Sequence, residues 1–240
     1  MNIELNKDET LGILRNVAHR LGLTNSAKFE RVISEDRATA PDEYKFADEV
    51  LAAFHSGGGL APRMQAYKLV SLNRLLQSLK PASILELGSG SSTIVCARYA
   101  SRNNAKFVTI EESKEWLDNT LSMLNSFGVA DAVTPYVRNK HIDVVARTAS
   151  YIDRPTVAAD FVLIDGPALE LGGEKYIDAA CVDIFDMLPG PKTIIVDVRK
   201  PTVERMVKEV STSSYRYTPS DILSRSPKSN FNYFSIFSRV

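Results

Sequence analysis

Hydrophobic positions change period along the chain. Leu11, Leu14, Val17, Ala18 and Leu21 recur at helical spacing, with Gly22 as a stop. A second helical stripe follows Pro41, carried by Ala47, Val50, Leu51 and Phe54, and it ends at His55-Ser56-Gly57-Gly58-Gly59. Three adjacent glycines lose the most backbone entropy on ordering, so this stretch reads as a linker or as a hinge beside a ligand. A third helix is predicted over 62–79, with Leu69, Leu72, Leu76 and Leu79 on one side, broken by Lys80-Pro81.

Beyond Pro81 short apolar runs alternate with amphipathic segments. The runs are Ser83–Leu87, Lys106–Ile110, Ala132–Val137, Asp160–Ile164 and Lys192–Val196. Helices are predicted over Ser91–Ala100, around Trp116–Leu124, around Ile177–Leu188 and from Pro201 to Val210. Strands apolar on both faces and separated by helices belong to a parallel sheet covered on both sides. The expected fold is α/β, a Rossmann-like doubly wound sheet. Two aromatic-rich runs, Ser214–Thr218 and Phe231–Ser238, read as an antiparallel pair that completes seven mostly parallel strands. The expected organisation is an N-terminal helical cap over 1–61 and a main domain over 62–240.

Composition narrows the class. With 240 residues, 44% hydrophobic and 24% charged, the chain is neither a disordered tail nor a disulfide scaffold. Lys+Arg 29 balance Asp+Glu 29, so no global basic field exists for a nucleic-acid partner. The N-terminus lacks a secretory apolar region and no apolar run approaches the ~20 residues of a membrane span. A cytoplasmic protein with no membrane partner is expected, and homodimer formation is left open. Cys96 and Cys181 fall in apolar patterns and read as buried free thiols.

In an open parallel sheet ligands bind beyond the carboxyl ends of the strands, so the polar residues that end each run are the informative ones. They are Glu86-Leu87-Gly88-Ser89-Gly90-Ser91-Ser92-Thr93, Glu111-Glu112, Asp165-Gly166-Pro167 and Asp197. Gly88 and Gly90 form a nucleotide-binding type of turn, but Thr93 stands where a dinucleotide fingerprint has its third glycine. Ser91, Ser92 and Thr93 offer hydroxyls and N–H groups at a helix N-terminus, which suit a carboxylate. Glu111 follows Gly88 by 23 positions, near the offset of a ribose-binding acid. Of the histidines, His19 reads as surface, His141 as part of a polar loop, and His55 as an alternative base should the N-terminal helices fold over the pocket. The Asp197-Val198-Arg199-Lys200 segment reads as a solvated turn or an anion contact.

At LELGSGSST, VTIEESKEWL, FVLIDGP and TIIVDV the sequence resembles the class I S-adenosylmethionine-dependent methyltransferases. The resemblance implies S-adenosylmethionine as cofactor, with Glu86 near its methionine end and Gly88, Ser89 and Gly90 lining it. It further implies Ser92 or Thr93 at the cofactor carboxylate, Glu111 at the ribose, Glu112 near the adenine and the 138–141 loop beside it. Asp165 and Asp197 become the catalytic pair, Asp165 also bordering the cofactor. In the divalent-metal O-methyltransferases, aspartates at these strand ends bind magnesium. That pattern continues with Asn or Asp after the fifth strand, where this chain has Val198, so a metal is compatible but not favoured. The expected function is methyl transfer to a small-molecule acceptor, at oxygen, a sugar or natural-product hydroxyl being the substrate guess. An NAD(P)-dependent oxidoreductase and a non-catalytic cofactor-binding protein are the alternatives.

Overall fold

The computed structural model describes residues 25–56, 65–210, 214–221 and 232–240. The stripe at Leu11–Leu21, His19, the glycine run and the expected boundary at 61/62 lie outside the described residues.

Three helices precede the sheet: α1 (Asn25–Thr39), α2 (Pro41–Ser56) and α3 (Gln65–Leu79). The main sheet then follows as β1 (Ser83–Leu87), α4 (Ser91–Asn103), β2 (Lys106–Glu111), α5 (Lys114–Ser126), β3 (Thr134–Val137), β4 (Phe161–Ile164), β5 (Thr193–Val196), α6 (Lys200–Glu209), β6 (Tyr215–Thr218) and β7 (Ser235–Arg239). Its seven strands lie in the order β6-β7-β5-β4-β1-β2-β3. β1 to β5 run parallel, while β7 is antiparallel to both β5 and β6. The Rossmann-like architecture read from the sequence is the one present.

Alternation within the strands decides which face each residue serves. Ile84, Phe107, Phe161, Leu163 and Ile195 join the core formed with α2 to α5. Leu85, Leu87, Val162, Ile164, Ile194 and Val196 join the opposite core with Val203 and Met206 of α6. Glu86 and Thr109, paired across β1 and β2, therefore point toward the helices of the first face. Asp165 and Asp197 extend the strand pairing by one residue each and keep the same parity.

Helix α1 falls inside the expected N-terminal helical cap. Two features depart from the sequence reading. The 138–141 stretch, expected as a loop, leads into a hairpin of Lys140–Asp143 with Thr148–Tyr151, in which His141 is exposed. The helix expected over 177–188 is absent. Ala180–Cys181 pairs in parallel with Thr148–Ala149, and a 3-10 turn follows at Asp183–Met187. Ala180, Cys181 and Ile184 are buried as their pattern predicts, yet Ile177 is 74% exposed. A short apolar run does not distinguish helix from strand, and the free edge of the hairpin took its backbone. Among the described residues no helix is long and apolar enough to cross a membrane.

Candidate active site

The glycine turn after β1 is held by carboxylates from beneath and beside. Glu86 is fully buried and accepts from Ser92 Oγ (2.7 Å), Thr93 Oγ1 (2.7 Å) and Thr109 Oγ1 (2.9 Å). Thr93 Oγ1 in turn accepts from the Gly90 N–H at 2.8 Å. Burial pushes the Glu86 carboxyl up to about 7 against the pull of these three hydroxyls. The hydroxyls of Ser92 and Thr93, expected at a ligand carboxylate, thus turn inward and secure the start of α4.

Glu111 is 5% exposed, and its carboxylate accepts from Ser89 N (2.8 Å), Ser89 Oγ (3.0 Å), Glu112 N (2.9 Å) and Ser113 N (3.0 Å). These four donors match the lone-pair sites of an ionised carboxylate. Burial and then the neighbouring Glu112 raise its pKa. A ribose diol would enter by displacing the Ser89 hydroxyl, the one donor of the four that can rotate away.

Glu112 turns to the protein rather than to open space. It accepts from the Ala168 N–H (2.8 Å) and the Tyr151 hydroxyl (3.2 Å), with Lys140 Nζ at 3.5 Å. It thereby ties the loop after β4 to the hairpin. Arg199 holds the same loop, donating to the carbonyls of Asp165 (2.7 Å) and Pro167 (2.6 Å). Arg199 therefore braces the loop after β4.

The two glycines differ in why they are glycine. Gly88 has φ +92°, and a Cβ there would stand 2.7 Å from Gly166 N. Its missing side chain serves close packing against the loop after β4. A Cβ on Gly90 would meet only Phe54 Cζ and Trp116 Nε1, both at 3.9 Å. Trp116 donates to the Ser89 carbonyl (2.8 Å), and Phe54 of α2 packs edge-on against it with centroids 5.0 Å apart. His55, next along α2, is exposed, and no described contact joins it to the strand-end acids.

Those acids meet at a residue the sequence reading did not single out. Lys68 of α3 is 3% exposed, and its Nζ lies 2.6 Å from both Asp165 Oδ2 and Asp197 Oδ2. Burial opposes the charge, but the two carboxylates outweigh it and hold the ammonium above its ordinary pKa. Burial also works to raise Asp165, yet Lys68 overcomes it and keeps that carboxyl below its usual value. Asp197 is pushed the other way, first by burial and then by Asp165. Tyr233 lies close by, its hydroxyl pushed up by burial and by Asp197. The signal for Lys68 was its setting: it interrupts the run from Ala66 to Leu72, every member of which is buried. A lysine there needs carboxylate partners.

Among the described residues the buried side-chain N and O atoms without a hydrogen-bond partner are Asp197 Oδ1, Arg199 Nε, Gln65 Oε1 and Ser235 Oγ. Gln65 lies one helical turn before Lys68, whereas Ser235 is paired with Val196 and shares its parity toward the opposite core. Buried polar atoms are normally satisfied, so Asp197 Oδ1 is the exception at the Lys68 cluster. A cavity of about 1150 Å³ opens elsewhere, at the amino ends of β1 and β4 beside Ser83, Asp160 and Arg205. It is remote from the strand-end acids.

Solved structures share this fold. An O-methyltransferase from Streptomyces achromogenes involved in tomaymycin synthesis, in complex with SAM, superposes with TM-score 0.50 at 19% identity, covering 81% of this chain and 88% of its own. A Bacillus cereus O-methyltransferase in complex with SAH gives 0.50 at 19% identity, covering 81% and 90%. A Podospora anserina methyltransferase bound to SAH gives 0.51 at 14%, covering 86% and 95%. The chain thus has the class I methyltransferase fold. No protein-family model and no curated sequence matches it.

Proposed function

We propose that this chain is an S-adenosylmethionine-dependent methyltransferase acting on a hydroxyl of a small molecule. The observation that carries the reading is the buried Lys68–Asp165–Asp197 cluster, in which Asp197 Oδ1 has no hydrogen-bond partner, at the strand ends beside the glycine turn. The O-methyltransferases among the solved relatives support it. The residues fit the cofactor. Glu111 offers a carboxylate for a diol, and Thr93 stands where a dinucleotide turn has its third glycine. That last feature disfavours NAD(P), whose fingerprint carries all three glycines.

When bound, the cofactor supplies an electrophilic methyl carbon. The residues of the chain position the acceptor and take its proton. Asp197 Oδ1, buried and without a partner, is the acceptor for that proton. The Lys68 ammonium, close to both aspartates, lowers the cost of negative charge developing on the acceptor oxygen. Glu86 and Glu111 act through the turn as positioning residues, with Glu111 also reaching the ribose.

Glu111 favours a second reading, because four donors of the chain already satisfy it: a turn stabilised for its own sake, in a protein without catalysis. Calorimetric titration with S-adenosylhomocysteine decides between them. Binding with a micromolar Kd is expected, followed by methyl transfer to hydroxyl acceptors in a radiolabel screen. Folded protein that binds neither S-adenosylhomocysteine nor S-adenosylmethionine at millimolar concentration ends the proposal.

A further inference from the structure

Two strand-end aspartates facing each other form half of a divalent-cation site, and a cation does lie between them: the Lys68 ammonium. We infer that Lys68 takes the place of a divalent metal between Asp165 and Asp197, so that the cluster works with a cation built into the chain. The inference deepens the proposed function and rests on it for its catalytic meaning.

Three observations carry it. Lys68 Nζ sits at 2.6 Å from one oxygen of each carboxylate, an approach that leaves no room for a metal with its own ligands between the same two atoms. Val198, which follows Asp197, has no ligand atom, adopts φ 44° and packs against the core that includes Ile195. A β-branched side chain is strained in the left-handed region, where Asn or Asp is far more at ease. Among the described residues, moreover, no group of three or more His, Cys, Asp and Glu could hold a metal ion.

The substitution has a chemical consequence. A metal carries two charges and open coordination positions, so it can bind an acceptor oxygen directly. An ammonium carries one charge and three N–H donors. Two of the donors go to Asp165 and Asp197. The third remains for a substrate oxygen, which it meets through a single hydrogen bond. The preferred acceptor is therefore an isolated hydroxyl, and a chelating vicinal diol gains nothing over its mono-hydroxy analogue.

Removing the ammonium and supplying the missing ligand reverses the exchange. Lys68→Ala combined with Val198→Asn is expected to unfold at lower temperature than the wild type. Mn²⁺ at about 1 mM should then raise its melting temperature by several degrees through mass action. Calorimetry should show Mn²⁺ bound at least about tenfold more tightly than by the wild type. If the double variant is folded and gains no Mn²⁺ affinity, the inference falls. It falls equally if the wild type binds Mn²⁺ as tightly as the variant. Should the double variant not fold, Val198→Asn alone is decisive: with Lys68 in place it must not bind Mn²⁺, and binding would overturn the inference. None of these readouts contains the methyl donor. S-adenosylhomocysteine binding by the wild type tests the proposed function separately.

Discussion

Gly88 and Gly90 are two positions apart and look equivalent in sequence, but their surroundings make opposite demands. An alanine at 88 would have to adopt φ +92° and push its Cβ against the backbone of Gly166. Gly88→Ala should therefore destabilise the protein by about 2–5 kcal/mol, measured by denaturant unfolding. Gly90→Ala meets nothing closer than 3.9 Å. It should stay within about 1 kcal/mol of wild type yet bind S-adenosylhomocysteine about tenfold more weakly, because a nucleoside over the turn would have to share the approach with Phe54, Trp116 and the added methyl. If Gly90→Ala binds the nucleoside as well as wild type, the cofactor does not lie over this turn. Lys68 shows the same dependence on surroundings. Its neighbours in sequence are apolar, and its partners arrive from 97 and 129 positions away.

Among the elements, the segment between β4 and β5 departs most from its sequence pattern. Its apolar spacing fits a helix, but the inserted hairpin offers a strand edge, and Asp183 pins the segment there. Asp183 is 3% exposed and accepts from the Tyr151 N–H (3.1 Å) and Arg154 Nε (3.0 Å). Asp183→Ala leaves a buried N–H and a half-paired guanidinium, so a loss of about 2–4 kcal/mol is expected. The Tyr151 amide should lose hydrogen-exchange protection more than amides in β1 do. Equal loss in both places would show that the hairpin is not separately anchored. The hairpin matters to the site because Tyr151 and Lys140 hold Glu112, which holds the loop carrying Asp165.

For the protein taken together, the buried acids set the response to pH. Glu86 has its folded pKa raised to about 7, so the folded state binds a proton that the unfolded chain has already released above its ordinary value of 4.5. Stability then falls as pH rises, by up to about 1.4 kcal/mol per pH unit between pH 5 and 7. Asp197, also raised, acts in the same direction. Asp165 and Asp160 are lowered and work the opposite way, but in the window below their ordinary value of 3.8. Melting temperature should thus decline from pH 5 to pH 7, and Glu86→Gln should flatten that decline. A wild-type melting temperature that rises over this interval would show Glu86 ionised and well solvated.

The parallel sheet, the strand-end acids and the glycine turn were all legible in the chain, because period and polarity are local properties of a few consecutive residues. The antiparallel tail was legible for the same reason. What each acid does was decided only by the folded arrangement. Parity along the strands sends Glu86, Asp165 and Asp197 to one face, and α3 brings Lys68 to meet two of them. No local pattern encodes a contact made across 97 or 129 residues. Burial then fixes the consequence: away from water a charge must find its counter-charge, and here the lysine meets that need between two aspartates.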